Sequence, residues 1–456
     1  MYEILFRHVL FPAYERLGHR RGTAAYLAEY ERTQWLEPAA LARHQLAGLN
    51  RLLAHAWAHV PFLRRHWSDH GVSPRPLEDV SELARYPLLT KAQITANYGE
   101  MIATNWRGRT LTKTTGGSST GEPFRFEYTM ESYARRTAVM WRGYAWAGLP
   151  LGRRSVYVWG QGQPHGLWRG AKDRLYHAAF NRTNLNAYAI RDDNVDEYLA
   201  ALERIRPRAV VGYVAPLLVL ARGLAARGRT LHGIEGVITG AEALHEPERA
   251  VLEAAFGCPV FNTYGCREFM LLASECREHE LHVTADHLVV ETVDERGAPA
   301  GLASGDVVVT DLHNDAMPFV RYVTGDRARA SASACPCGRG LPLLAAVEGR
   351  VLDLIRTPDG RNVPGEYFVH VMLEWPQVRR WRLVQTGPGT LQFLLVVAAP
   401  LTEAQRDALR RRTESGLGDA MRVELVFVDE LPPTTSDKRR LTVGWRPPGA
   451  TTAAAR

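Results

Sequence analysis

The chain has 456 residues, 46% hydrophobic and 23% charged, an ordinary globular composition with enough apolar material for a substantial core. Its formal net charge of +7 is carried mostly by arginine, with no Lys/Arg block interleaved with aromatics; this suits anionic small substrates and argues against a nucleic-acid partner. No apolar run is long enough to span a bilayer, no signal-peptide core follows the N-terminus, and the five cysteines are an odd number, so a cytoplasmic protein with no membrane partner and no disulfide framework is expected.

At this length two domains are the natural expectation. Residues 1–100 read as a helical lead-in. Leu41, Leu46, Leu49, Leu52 and Leu53 fall largely on one face of a helix over 37–59, and Pro61 ends the run. The segment PLLTK at 87–91 predicts a turn with a helix starting at Thr90. A basic run at 107–113 leads into TTGGSSTGEPFRF at 114–126, and FRFEY reads as a strand. Helical patterns over 130–148, 195–206, 217–227 and 246–256 then alternate with short apolar strands at 155–159, 209–213, 236–239 and 259–263. That alternation predicts a parallel sheet covered by helices, with the chemistry at the carboxyl ends of its strands.

From residue 282 the pattern turns strand-rich, in LHVTADHLVVETV, SGDVVVTDL and PFVRYVTGD. A break and a hairpin are expected over 349–359. A small α+β unit follows, with helices at 366–373 and 403–417 and strands at 379–385, 391–397 and 422–428. The expected division is a large α/β domain over 1–349, a small mobile domain over 350–446, and a disordered tail at 447–456.

The loop at 114–126 joins glycines, which let an anion approach the backbone closely, to hydroxyls that donate without fixed charge. Taken alone it is equally a flexible surface turn, and no lysine follows Gly121 as a P-loop requires. Downstream, TGAEAL at 239–244, NTYGCRE at 262–268, YVTGDRA at 322–328 with GRVLDLI at 349–355, and PTTSDKRR at 433–440 follow in order. With VPF at 60–62, PLLTK, AFGCPVFNTYG, ECREHELH and CPCGRGLP, the chain resembles the adenylate-forming superfamily, and within it the phenylacetate–CoA ligase-like branch.

The resemblance implies an adenylate-forming enzyme fold and an AMP-forming ligase. Such an enzyme uses ATP and Mg²⁺ to turn a carboxylic acid, expected to be aromatic, into an adenylate and passes it to an acceptor, by default CoA. An amine or alcohol acceptor is the alternative, a silent nucleotide-binding paralogue the second, and a homodimer is compatible with either. By the same resemblance Ser118, Ser119, Thr120 and Gly121 would cradle the β- and γ-phosphates. Tyr264 would lie against the adenine face and the backbone of Gly240, Ala241 and Glu242 would line its other side, with Asn262 and Gly265 also binding the nucleotide. Asp326 would hold the ribose, Arg350 the ribose or phosphate, Glu268 the Mg²⁺, and Lys438 the carboxylate and α-phosphate during adenylation. Leu352 stands where relatives often place a hinge aspartate, and Asp437 replaces a glycine before the lysine.

Cys276, His282, Cys335 and Cys337 form a second cluster. Cysteines at C-x-C spacing with a further cysteine and a histidine can close a tetrahedral Cys₃His site, which has no open position for water. The resemblance implies a structural Zn²⁺ through His282, with His279 as the runner-up ligand. Free cysteines on loops are the plain alternative.

Overall fold

The computed structural model describes residues 2–18, 21–114, 124–160, 175–190, 194–350, 355–358, 362–363, 368, 371–372, 374–375, 377–415, 417, 421–432 and 442–443. Helices α1 (Thr23–Thr33), α2 (Pro38–His59) and α3 (Pro61–Asp69) form the lead-in. Leu41, Leu49, Leu52 and Leu53 are buried as their spacing predicts. Pro61 both ends and starts a helix, because Val60 is extended and a proline at the first helical position gives up no hydrogen bond. Helix α4 (Lys91–Ala96) starts where expected, with Thr90 accepting from Gln93 N and Gln93 reaching back in a capping box.

A two-stranded ribbon of β1 (Leu111–Thr114) and β2 (Arg125–Tyr128) precedes helix α5 (Met130–Trp146). Strands β3 (Ser155–Trp159), β4 (Arg182–Asn186), β5 (Ala209–Gly212), β6 (Gly236–Thr239) and β7 (Val260–Tyr264) follow, with α6 (Val195–Ile205), α7 (Val214–Ala226) and α8 (Glu246–Phe256) between the later ones. They pair in parallel in the order β4-β3-β5-β6-β7. β5 and β6 are buried along their whole length, as strands covered on both faces must be. α7 begins three residues before its expected start, since Pro216 fits the first turn of a helix.

The strand-rich segment is not a separate sheet. β8 (Ala273–Glu275), β9 (Leu281–Val283), β10 (Leu288–Val293), β11 (Ser304–Asp311), β12 (Tyr322–Ser331) and β13 (Leu343–Arg350) continue the parallel strands antiparallel, giving eleven strands in all. The expected strand from residue 282 breaks at 284–287, where Asp286 and His287 turn into the interior. Arg142 on α5 pairs with Asp286, and Arg136 pairs with Asp311 of β11 at 2.6 Å, all of them buried. These pairs tie α5 to the antiparallel half of the sheet. β12 begins at Tyr322, later than PFVRYVTGD suggests, and β13 runs through Gly349 and Arg350, where a break was expected.

Beyond it, β14 (Ile355–Arg356) and β15 (Asn362–Val363) make the expected small hairpin. β16 (Val378–Gly387), β17 (Thr390–Val397), β18 (Arg422–Phe427) and β19 (Thr442–Val443) form a second sheet in the order β18-β17-β16-β19, accompanied by α9 (Glu403–Glu414). Phe393, Leu383, Leu391 and Leu409 lie in a core of their own there. The helix expected at 366–373 and the tail lie largely outside the described residues.

Candidate functional site

Near the middle of the large sheet, the carboxyl end of β7 meets β12 through Tyr264 and Asp326, and the carboxyl end of β6 lies beside β7. After β6, Ala241 adopts φ 65°, a left-handed conformation that costs a non-glycine residue energy and tends to mark sites of function. A Cβ on Gly240 beside it would lie 2.9 Å from Thr263 Oγ1, so a larger residue would force that side chain to shift. Glu242 accepts from Ala215 N, in the first turn of α7, at 2.8 Å. Asn262 is anchored through its backbone, which donates to Glu275 Oε2 at 2.7 Å, while Thr239 Oγ1 reaches its side chain at 3.4 Å.

At the end of β7 the chain doubles back, with Leu272 N donating to Tyr264 O at 2.9 Å. A Cβ on Gly265 would lie 1.9 Å from Met270 O, so only glycine allows this return. Tyr264 is buried, and its hydroxyl donates to Asp326 Oδ2 at 2.9 Å. Burial first, and then the Asp326 charge, hold the phenol well above the ordinary tyrosine value, so it stays a donor. Asp326 in turn stands opposite Arg350 across the β12–β13 pair.

Glu268 lies in the same turn, with Tyr322 Oη 3.5 Å from its Oε1. Burial and the Glu268 charge push the Tyr322 phenol well up, and burial with Glu268 and Asp326 does the same to the Cys266 thiol. Those shared influences put Glu268, Asp326, Cys266, Tyr264 and Tyr322 in one electrostatic neighbourhood. Tyr322 and Cys266 were not singled out from the sequence; their position inside the two motifs was the available signal.

Ser118, Ser119, Thr120, Gly121, Lys438 and Leu352 lie outside the described residues, and Arg350 is placed by its backbone. The stem of the glycine-rich segment is described. Thr114 pairs with Arg125 across β1–β2, and buried Phe124 stacks on Tyr322 with ring centres 6.1 Å apart. Phe124, which follows the segment, thus packs on the tyrosine whose hydroxyl faces Glu268.

On the other side of β8 and β9, Cys276, His282, Cys335 and Cys337 place one ligand atom each within 4.8 Å of one another. Cys276 Sγ is 3.6 Å from Cys335 Sγ, and Cys337 Sγ is 3.3 Å from His282 Nε2. His282 Nδ1 lies 3.4 Å from Leu341 O, which leaves Nε2 facing the thiols. Burial holds the His282 imidazole down at about 4, in the neutral form that ligates metals. The donors fit a closed tetrahedral centre, and three thiolates with an imidazole favour zinc. His279 is elsewhere: it stacks on Phe261 and approaches Glu275.

No protein-family model matches the chain. Phenylacetate-coenzyme A ligase from Thermus thermophilus is 24% identical over 429 residues, covering 87% of this chain and 95% of the relative. The Escherichia coli K12 enzyme of the same name is 25% identical over 426 residues, covering 87% and 94%. Among solved structures, 2-hydroxyisobutyryl-CoA ligase in its postadenylation state with 2-HIB-AMP superposes with a TM-score of 0.73 at 18% identity, covering 91% of this chain and 92% of that one. Over nearly its whole length the chain is thus distantly similar to phenylacetate-coenzyme A ligases, and it has the adenylate-forming enzyme fold of the solved ligase. In this phenylacetate–CoA ligase-like protein four aromatics fall into two pairs. Trp141 and Tyr144 on α5 are buried in the core; Trp159 and the buried Tyr213 pack 4.2 Å apart at the ends of β3 and β5, with Trp159 beside Gly240.

Proposed function

We propose that the protein activates a carboxylic acid with ATP, forming an acyl- or aryl-adenylate and pyrophosphate, and transfers the acyl group to CoA. The observation that carries this reading is the convergence of Tyr264, Asp326 and Glu268 where β7 meets β12. Asp326, oriented by the Tyr264 hydroxyl, accepts the ribose hydroxyls, since a carboxylate is the side chain with acceptors for both. The Tyr264–Gly265 turn and the Gly240–Ala241 backbone flank the adenine, with Asn262 at its edge. Glu242 acts through its backbone, its carboxylate being held on α7.

Glu268 holds Mg²⁺, which supplies charge neutralisation on the phosphates when bound. Ser118, Ser119, Thr120 and Gly121 cradle the terminal phosphates. The chain divides near Arg350 into a large domain and a small one that delivers Lys438 to the reacting groups. The Cys276, His282, Cys335 and Cys337 centre holds a structural zinc, since four protein ligands leave no site for substrate.

The test is a pyrophosphate-release screen over aromatic and aliphatic acids, run with and without CoA and amines. Acid-dependent release with a thioester product supports the reading. An amide with no thioester would move the acceptor to an amine. No release with any acid would remove adenylation.

A further inference from the structure

The segment 115–123 offers hydroxyls and glycine amides but contains no lysine or arginine, and its one charged residue is Glu122. A triphosphate brought there needs cations from elsewhere. Two stand at its stem. Arg267, exposed in the turn between Cys266 and Glu268, directs Nη1 to the carbonyl of Thr114, the last residue of β1, at 3.4 Å. Lys113 precedes Thr114 on the same strand. The surrounding protein mass first, and the Arg267 charge second, hold its ammonium below the ordinary lysine value although the residue is exposed. Among the described residues neither cation has a carboxylate partner. Arg267 thus meets β1 one residue from Lys113, and like charges brought near one another cost free energy that an arriving anion relieves.

We infer that Lys113 and Arg267 form a clamp for the terminal phosphates of ATP and for the pyrophosphate they become. The inference rests on the adenylation reading and deepens it. In that step a carboxylate oxygen bonds to the α-phosphorus while the bond from that phosphorus to the α,β-bridging oxygen breaks. The electron pair leaves on pyrophosphate, and no proton moves. Cations at the stem stabilise the charge that grows on the leaving group. Glu268, one residue on, faces Tyr322, so adjacent residues serve the metal and the phosphates separately.

The experiment titrates inorganic pyrophosphate with Mg²⁺ into the whole protein by calorimetry. Arg267→Gln and Lys113→Gln are each expected to weaken binding about tenfold or more, the usual cost of removing a hydrogen bond to a charged group. Arg267→Lys recovers part of the loss, because it keeps the charge. Added salt weakens the wild type more steeply than Arg267→Gln. Equal weakening by Arg267→Gln and Arg267→Lys overturns the clamp, because lysine keeps the charge and glutamine does not. Wild-type affinity in Arg267→Gln overturns it too, and leaves adenylation standing if Glu268→Gln loses pyrophosphate in the same assay. A wild-type protein that binds no pyrophosphate overturns both.

Discussion

The hydroxyl of Tyr264 at the end of β7 donates to Asp326 Oδ2 on β12 at 2.9 Å, joining the parallel and antiparallel halves of the sheet. One bond thus fixes both the ring assigned to the adenine and the carboxylate assigned to the ribose. Tyr264→Phe keeps the ring and removes the donor. Its expected effect is a KM for ATP raised about five- to tenfold with kcat little changed, the scale of one hydrogen bond to a charged group. An unchanged KM for ATP would mean that the bond only braces the sheet.

Glu268 is expected to act through Mg²⁺ and not as a proton acceptor. Glu268→Gln keeps the shape and loses the charge, so the Mg²⁺ concentration for half-maximal pyrophosphate release should rise about tenfold. Superimposable Mg²⁺ titrations for the two proteins would reduce YGCRE to a turn.

Much of this arrangement was legible beforehand, for reasons that differ by element. The β5 and β6 strands are continuous apolar runs, and α6, which precedes them, has a strong 3.6-residue periodicity. Tyr264, Asp326 and Glu268 each sit in a motif, but their convergence depends on residues 62 positions apart and no local pattern encodes it. β4 was missed because RTNLN is polar, as suits a strand at the sheet edge. β13 was missed because its alanines and glycine have low strand propensity and only pairing with β12 and β9 makes it a strand. Arg142 and Asp286 carry no signal at all, being an ordinary helix residue and an ordinary turn residue until they meet.

That pair supports a stability prediction. Asp286→Ala leaves the Arg142 guanidinium buried without its counter-charge and removes the acceptor of Thr33 Oγ1. A loss of about 3–5 kcal/mol is expected, read from the urea midpoint. The paired replacement Arg142→Met/Asp286→Leu should cost much less, because it strands no charge. If the two variants were equally destabilised, packing around α5 rather than charge pairing would be the cause.

Trp146 packs edge-on against His282, with ring centres 5.7 Å apart, and gives the metal centre an optical reporter. The purified protein should carry about one zinc per chain. Chelation should remove it and change tryptophan emission, and Cys335→Ser/Cys337→Ser should abolish both the metal and the chelator-induced change. Zinc retained by that double variant would place the metal elsewhere, and metal-free protein from chelator-free purification would leave the cluster as free thiols.

The final prediction separates the two half-reactions. On the proposed two-domain reading, Lys438 in TTSDKRR serves adenylation only while the small domain presents it to the large one. Lys438→Ala is therefore expected to slow adenylate formation by about two to three orders of magnitude, the usual loss when one preorganised charge is removed. Transfer to CoA calls for the other face of the small domain, so a hinge must turn between the steps. Leu352 stands at the expected hinge without the charge relatives often place there, which makes the second step the slower one on this reading. Leu352→Pro holds φ near −65° and should arrest the turn. Supplied with acid, ATP and CoA, it should still form the adenylate and release a first equivalent of pyrophosphate, yet make no thioester. Matching losses in both half-reactions would make Leu352 a packing residue, and normal thioester formation would place the hinge at another position.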